Sequence, residues 1–167
     1  IAIGGSAGAL DPLNQLLLAL PPSLPASVLV VIHTLRERRN SLVTALTDMC
    51  ALRIYEAEDK ARPGPGCLYV APADYHLLLE VGQSLALSTD ELVYYSRPSI
   101  DVLFESVAYA CGAKAFGILL SGASEDGARG LACMREKGAL TWEQAPTSAA
   151  VPPAASSEVR ASARAAG

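Results

Sequence analysis

The sequence predicts a three-layer, doubly wound α/β fold, in which a mainly parallel sheet carries helices on both faces and a β-hairpin is added to it. Three observations predict it. The run Ser27–Ile32 (SVLVVI) is rich in β-branched residues and apolar on both sides, as a parallel strand covered by helices requires. Runs of this kind alternate with helical patterns along the chain, the order expected of right-handed crossovers. The hairpin is spelled separately, by two short apolar segments around Gly82 and Gln83.

Taken in order, Ile1–Gly5 reads as a strand that passes through glycine into Ser6, Gly8 and a helix. Asp11 reads as that helix's N-cap with Pro12 at its first position, and Leu13, Leu16, Leu17 and Leu20 share one face. Pro21 and Pro22 end it. The strand Ser27–Ile32 delivers His33 to its carboxyl end. Asn40 is positioned to cap a helix carrying Leu42, Val43, Leu46 and Met49. Arg53–Ala57 reads as a short strand, and Arg62–Gly66 (RPGPG) as a rigid turn into the strand Cys67–Ala71. Leu77–Val81 and Ser84–Ser88 should pair through a two-residue turn, Gly82-Gln83, as an antiparallel addition at the sheet edge. Arg97-Pro98 opens a helix through Val102, Leu103, Val107 and Ala110 that ends near Gly112. Phe116–Leu120 is a second buried strand. Asp126 stands where a helix begins, running through Leu131 and Met134 to Lys137, with Gly138 as terminator. Ala139–Trp142 reads as a final core strand, and the Ala/Ser/Pro-rich tail from Ala145 is weakly patterned, above all after about residue 153.

At 167 residues and 51% hydrophobic content the chain suffices for one substantial core, so residues 1–167 are expected to form a single domain. A net charge of −4 argues against a dedicated nucleic-acid binder. Arg36, Arg38 and Arg39 form a local basic run suited to an acidic partner. Cys50, Cys67, Cys111 and Cys133 are widely separated and show no zinc spacing, so buried free thiols in a reducing compartment are expected, with neither metal nor cofactor. No apolar run reaches the ~18 residues of a membrane span, and the first residues read as core strand rather than signal peptide. A cytoplasmic protein without membrane insertion follows as the expectation. The opening inside a strand is consistent with a piece of a longer chain.

The candidate chemistry sits at strand ends, where open α/β sheets bind their ligands. Gly4-x-Ser6-x-Gly8 has nucleophile-elbow spacing, which lifts a serine hydroxyl above the sheet and aims free helix N–H groups at the oxygen it attacks. The same turn also suits a phosphate. Against a nucleotide site, no P-loop Lys-Ser/Thr and no Gly-x-Gly-x-x-Gly occur. His33 ends a neighbouring strand and shares the rim with Ser6. Asp126 is placed to orient a histidine, to cap a helix, or both. Asp101, in the first turn after Pro98, is the rival acid, better suited to capping. His76, at a strand-hairpin junction, reads as structural.

With strand-Gly-x-Ser-x-Gly, strand-His and strand-loop-Asp-Gly-Ala-x-Gly aligned, the chain resembles the catalytic domain of the chemotaxis protein-glutamate methylesterase family. The likeness runs from Ile1 to about Pro152 and includes Ala51–Asp59, Leu68–His76 and Arg97–Phe104. It implies a serine hydrolase of signal transduction that demethylates glutamate γ-methyl esters on the cytoplasmic region of chemoreceptors, and deamidates certain glutamines. Ser6 would be the nucleophile, His33 the base and Asp126 the orienting acid, with oxyanion donors near Ala7 and Ala123. It further implies an N-terminal receiver domain in many members, separate or missing here. Where the family usually has Thr-Gly-Gly after the serine and Gly-Met-Gly before the aspartate, this chain has Ala7-Gly8-Ala9 and Gly122-Ala123-Ser124; Thr34-Leu35 replaces a frequent Met-Pro. These departures carry the alternative reading, a catalytically weak or silent module that binds receptor or signalling partners.

Overall fold

Alternation along the two central strands decides the layering. The computed structural model describes residues 1–6, 8–33, 42–47, 49–120 and 125–144. In β1 (Ala2–Gly5) and β2 (Val28–Ile32) every residue is buried, and successive side chains enter opposite clusters. Ile3, Val28, Val30 and Ile32 face α1 (Leu10–Leu18) and α2 (Leu42–Thr47), whose Leu13, Leu17, Leu42 and Leu46 complete that layer. A fully buried leucine contributes about 1.5–3 kcal/mol, so Leu13 and Leu17 alone anchor α1.

Outside this pair lie β3 (Arg53–Glu56) and β4 (Cys67–Val70), then the hairpin strands β5 (His76–Leu79) and β6 (Leu85–Ser88). The long helix α3 (Ile100–Cys111) follows, then β7 (Phe116–Leu119), α4 (Ala128–Glu136) and β8 (Leu140–Glu143). Ala2, Leu29 and Val31 turn to the second face, which Ile100, Leu103, Phe104, Leu131 and Met134 of α3 and α4 cover. The main sheet has the order β3-β4-β2-β1-β7-β8, and all its pairings are parallel. The helix after β1 and the helix after β7 therefore lie on opposite faces although those strands are neighbours. This divergence opens a crevice at the carboxyl ends of β1 and β7.

Several expected details are corrected. Ala9, not Asp11, is the N-cap of α1, without a side-chain cap bond; Asp11 and Pro12 lie inside the first turn, where a missing N–H still costs nothing. The hairpin forms its own two-stranded sheet instead of extending the main one. Its Leu77, Leu79 and Leu85 pack in the α3 layer, and Leu79 N–H donates to Ser106 Oγ at 3.0 Å, so it lies on a face and not along an edge. Its turn spans Glu80 to Gln83, closed by Gln83 N–H to Glu80 O at 2.8 Å. Gln83 rather than Gly82 takes the left-handed conformation, at φ 63°, and its amide donates to Ala110 O at 3.1 Å. α3 begins at Ile100 behind the cap Ser99, two residues later than Pro98. β8 is no core strand: Leu140 is 71% and Trp142 48% exposed, as befits the outermost strand among the described residues. All four cysteines are free, but only Cys67 is buried.

Candidate functional site

Strand register brings Ser6 and His33 together. Gly5 pairs with Ile32 across β1 and β2, and His33 N–H donates to Gly5 O at 2.9 Å, so the two residues that leave these strands are neighbours. Adjacent parallel strands run about 4.8 Å apart, which sets the scale of that separation. The local sequence explains the tight exit. A Cβ on Gly5 would meet Ala9 Cβ at 2.5 Å, and one on Gly4 would run into Ile100. Gly8 sits at φ 83°, and Ala9 N–H closes the turn onto Ser6 O at 3.0 Å.

Asp126 arrives from the far side of β1. Leu120, directly after β7, donates to Gly4 O at 2.8 Å, which seats the β7 exit beside the β1 exit. His33 Nε2 lies 3.0 Å from Asp126 Oδ2. The carboxylate also accepts from Ser99 Oγ at 2.8 Å, Ile100 N–H at 2.7 Å and Asp101 N–H at 2.9 Å. Asp126 thus caps α3. Burial pushes its carboxyl up, but His33, the backbone donors of Asp101 and Ile100, and the Ser99 hydroxyl outweigh burial and hold it below the usual carboxylate range.

Asp101, the rival acid, is fully buried and turned toward α4, where Oδ1 accepts Gly127 N–H at 2.9 Å and Gly130 N–H at 2.7 Å. Burial is the main influence on it and raises its carboxyl, with Asp126 adding in the same direction against the Gly130 and Gly127 donors. His76 is buried at the start of β5 and contacts Ser99 rather than His33. Ala7 and Ala123, together with Gly122, Ser124, Thr34, Leu35 and the three arginines, lie outside the described residues.

Sequence reading missed Ser99. Its signal was available, a serine directly ahead of the apolar periodic run Ile100, Leu103, Phe104, Val107, which is how an N-cap is spelled. It also missed a cleft of about 90 Å³ beside His33, walled by Glu56, Val70, Tyr95, Arg97 and Pro98. Nothing in the spacing of these residues joins them; only the fold does. Among the described residues no group of three or more His, Cys, Asp or Glu side chains is placed to hold a metal ion, and no helix is long and apolar enough to cross a membrane.

Comparison with known proteins shows what the chain is similar to. The CheB methylesterase family model matches residues 1–166. A protein of Leptospira interrogans, named as a candidate protein-glutamate methylesterase/protein-glutamine glutaminase, is 38% identical over 151 residues, 90% of this chain and 78% of that protein. Protein-glutamate methylesterase/protein-glutamine glutaminase 1 of Dechloromonas aromatica is also 38% identical, over 90% of this chain but 44% of its own length, so the chain spans less than half of that longer relative. The crystal structure of the Thermotoga maritima CheB methylesterase catalytic domain superposes with a TM-score of 0.90 at 27% identity, covering 96% of this chain and 87% of that one. The family model spans nearly the whole sequence and a relative 38% identical covers 90% of it, so the chain belongs to the CheB methylesterase family of hydrolases.

Proposed function

We propose that these residues form a single catalytic domain that demethylates glutamate γ-methyl esters, and deamidates glutamines, on the cytoplasmic region of chemoreceptors. The observation that carries this reading is the 3.0 Å approach of His33 Nε2 to Asp126 Oδ2, at the strand end next to Ser6. With Nε2 3.0 Å from the carboxylate, the ring proton is assigned to Nε2, which leaves Nδ1 as the basic nitrogen. A serine hydroxyl is a weak nucleophile until such a base takes its proton.

In the reaction proposed, Ser6 Oγ attacks the ester carbonyl while its proton passes to His33. Asp126 stabilises the imidazolium through the Nε2–H. Collapse expels methanol, or ammonia from a glutamine, with that proton returned to the leaving group. Water, deprotonated by His33, then hydrolyses the acyl-enzyme to glutamate. Backbone N–H groups at Ala7 and Ala123 are assigned to the developing oxyanion. The cleft beside His33 suits the side chain that carries the ester. A receiver domain, on the same or another chain, is the regulator this reading calls for.

Incubation with a methylated receptor cytoplasmic fragment, followed by methanol and product glutamate, tests it. Release of both is expected. Receptor binding with no release would instead establish the silent binding module for which Ala7, Ala9 and Ala123 speak.

A further inference from the structure

His76 is 1% exposed, yet both its ring nitrogens are engaged by backbone groups. Ser99 N–H donates to Nδ1 at 3.1 Å, so that nitrogen carries no proton. The ring hydrogen therefore sits on Nε2, which donates to Glu91 O at 3.0 Å. This arrangement fixes one tautomer and ties the hairpin, the loop at Glu91 and the entry to α3 to a single ring.

Ser99 needs that acceptor. It is fully buried, its backbone is extended at φ −108° and ψ 140°, and as N-cap its N–H lies outside the helix and lacks an intrahelical partner. Its hydroxyl accepts Val102 N–H at 3.3 Å and donates to Asp126 Oδ1 at 2.8 Å. From His76 the contacts run through Ser99 to Asp126 and on to His33 with no gap.

We propose that His76 is a positioning residue for hydrolysis: by accepting the Ser99 N–H it holds the first turn of α3 where Ser99 Oγ, Ile100 N–H and Asp101 N–H grip Asp126, the carboxylate that orients His33. The inference rests on the function proposed above. A misplacement of about 1 Å at the reacting groups can cost about 100-fold in rate, so the effect belongs in kcat and not in substrate binding.

Two substitutions separate this role from plain packing. His76→Asn places an amide oxygen where Nδ1 sits and keeps the Ser99 contact; His76→Gln places its amide near Nε2 and keeps the Glu91 contact instead. With both folded, His76→Gln is expected to lower kcat about tenfold with KM within about twofold, and His76→Asn to recover most of that loss. Equal kcat in the two variants, or wild-type kcat in His76→Gln, overturns the proposal. NMR titration of the Asp126 carboxyl provides a readout that needs no turnover. It should move up toward the ordinary carboxylate range in His76→Gln and not in His76→Asn, with His33 and Asp101 the titratable groups facing it and Arg129 reaching Asp101 at 3.8 Å. If wild-type protein releases no methanol, the function proposed above fails while this titration still judges His76. If neither variant folds, the ¹⁵N spectrum of the wild-type ring at neutral pH decides: bare Nδ1 with protonated Nε2 supports the proposal, and a proton on Nδ1 overturns it.

Discussion

Asp126 and Asp101 cap each other's helices. Asp126 stands just ahead of α4 but accepts the first-turn N–H groups of α3, whereas Asp101 stands in the first turn of α3 and accepts Gly127 and Gly130 N–H at the mouth of α4. Each carboxylate meets orphan donors and the positive end of a helix dipole. The exchange locks two helix starts together, and the carboxylate that touches His33 is part of the lock.

Removing Asp101 leaves two buried N–H groups without acceptors. Asp101→Ala is expected to destabilise the fold by about 2–6 kcal/mol, since each of the two buried unpaired donors costs about 1–3 kcal/mol. Urea denaturation measures it, and an unchanged midpoint would show that the α4 cap carries no weight.

The helices also touch through a glycine. A Cβ on Gly130 would come within 2.6 Å of Phe104 Cβ and 2.9 Å of Asp101 O, both belonging to α3. Gly130→Ala should force α3 and α4 apart and cost about 1–3 kcal/mol of stability despite alanine's better helix propensity. A thermal melt with an unshifted or raised midpoint would contradict that close approach.

The two acids have opposite pH signatures. Asp126, lowered in the fold, contributes stability present above the unfolded carboxylate range, about pH 4, and lost as pH falls through its folded value. Asp101, raised chiefly by burial, favours the fold below about pH 4 and loses that contribution as pH rises through its folded value. Comparing wild type with Asp126→Asn keeps the burial that dominates the Asp101 shift in both and removes only the smaller push that Asp126 gives it. Their difference in unfolding free energy is expected to be widest near neutrality and to narrow below about pH 4; a gap constant with pH, measured by urea titration, would exclude a depressed Asp126.

Much of this was legible before any coordinates. Covered strands are written in residues apolar on both sides, so β1, β2, β4 and β7 followed from the sequence, and with them the strand ends that carry Ser6, His33 and Asp126. Edge position was not legible: Leu140 and Trp142 are as apolar as core residues and yet lie exposed on β8. Nor was the exchange of caps, because a carboxylate at a helix start is locally indistinguishable whether it bonds its own helix or a neighbour 25 residues away, as Asp126 does with Asp101. Hairpin patterning likewise gives the pairing of β5 with β6 but not the face of α3 that receives it.

The central claim is that Ser6 attacks the ester, and methanol release by Ser6→Ala from a methylated receptor tests it most directly. The variant is expected to fold and melt like wild type while its rate falls by at least about 10³-fold, the scale on which loss of a triad nucleophile acts. Methanol released at the wild-type rate by folded Ser6→Ala would contradict the account.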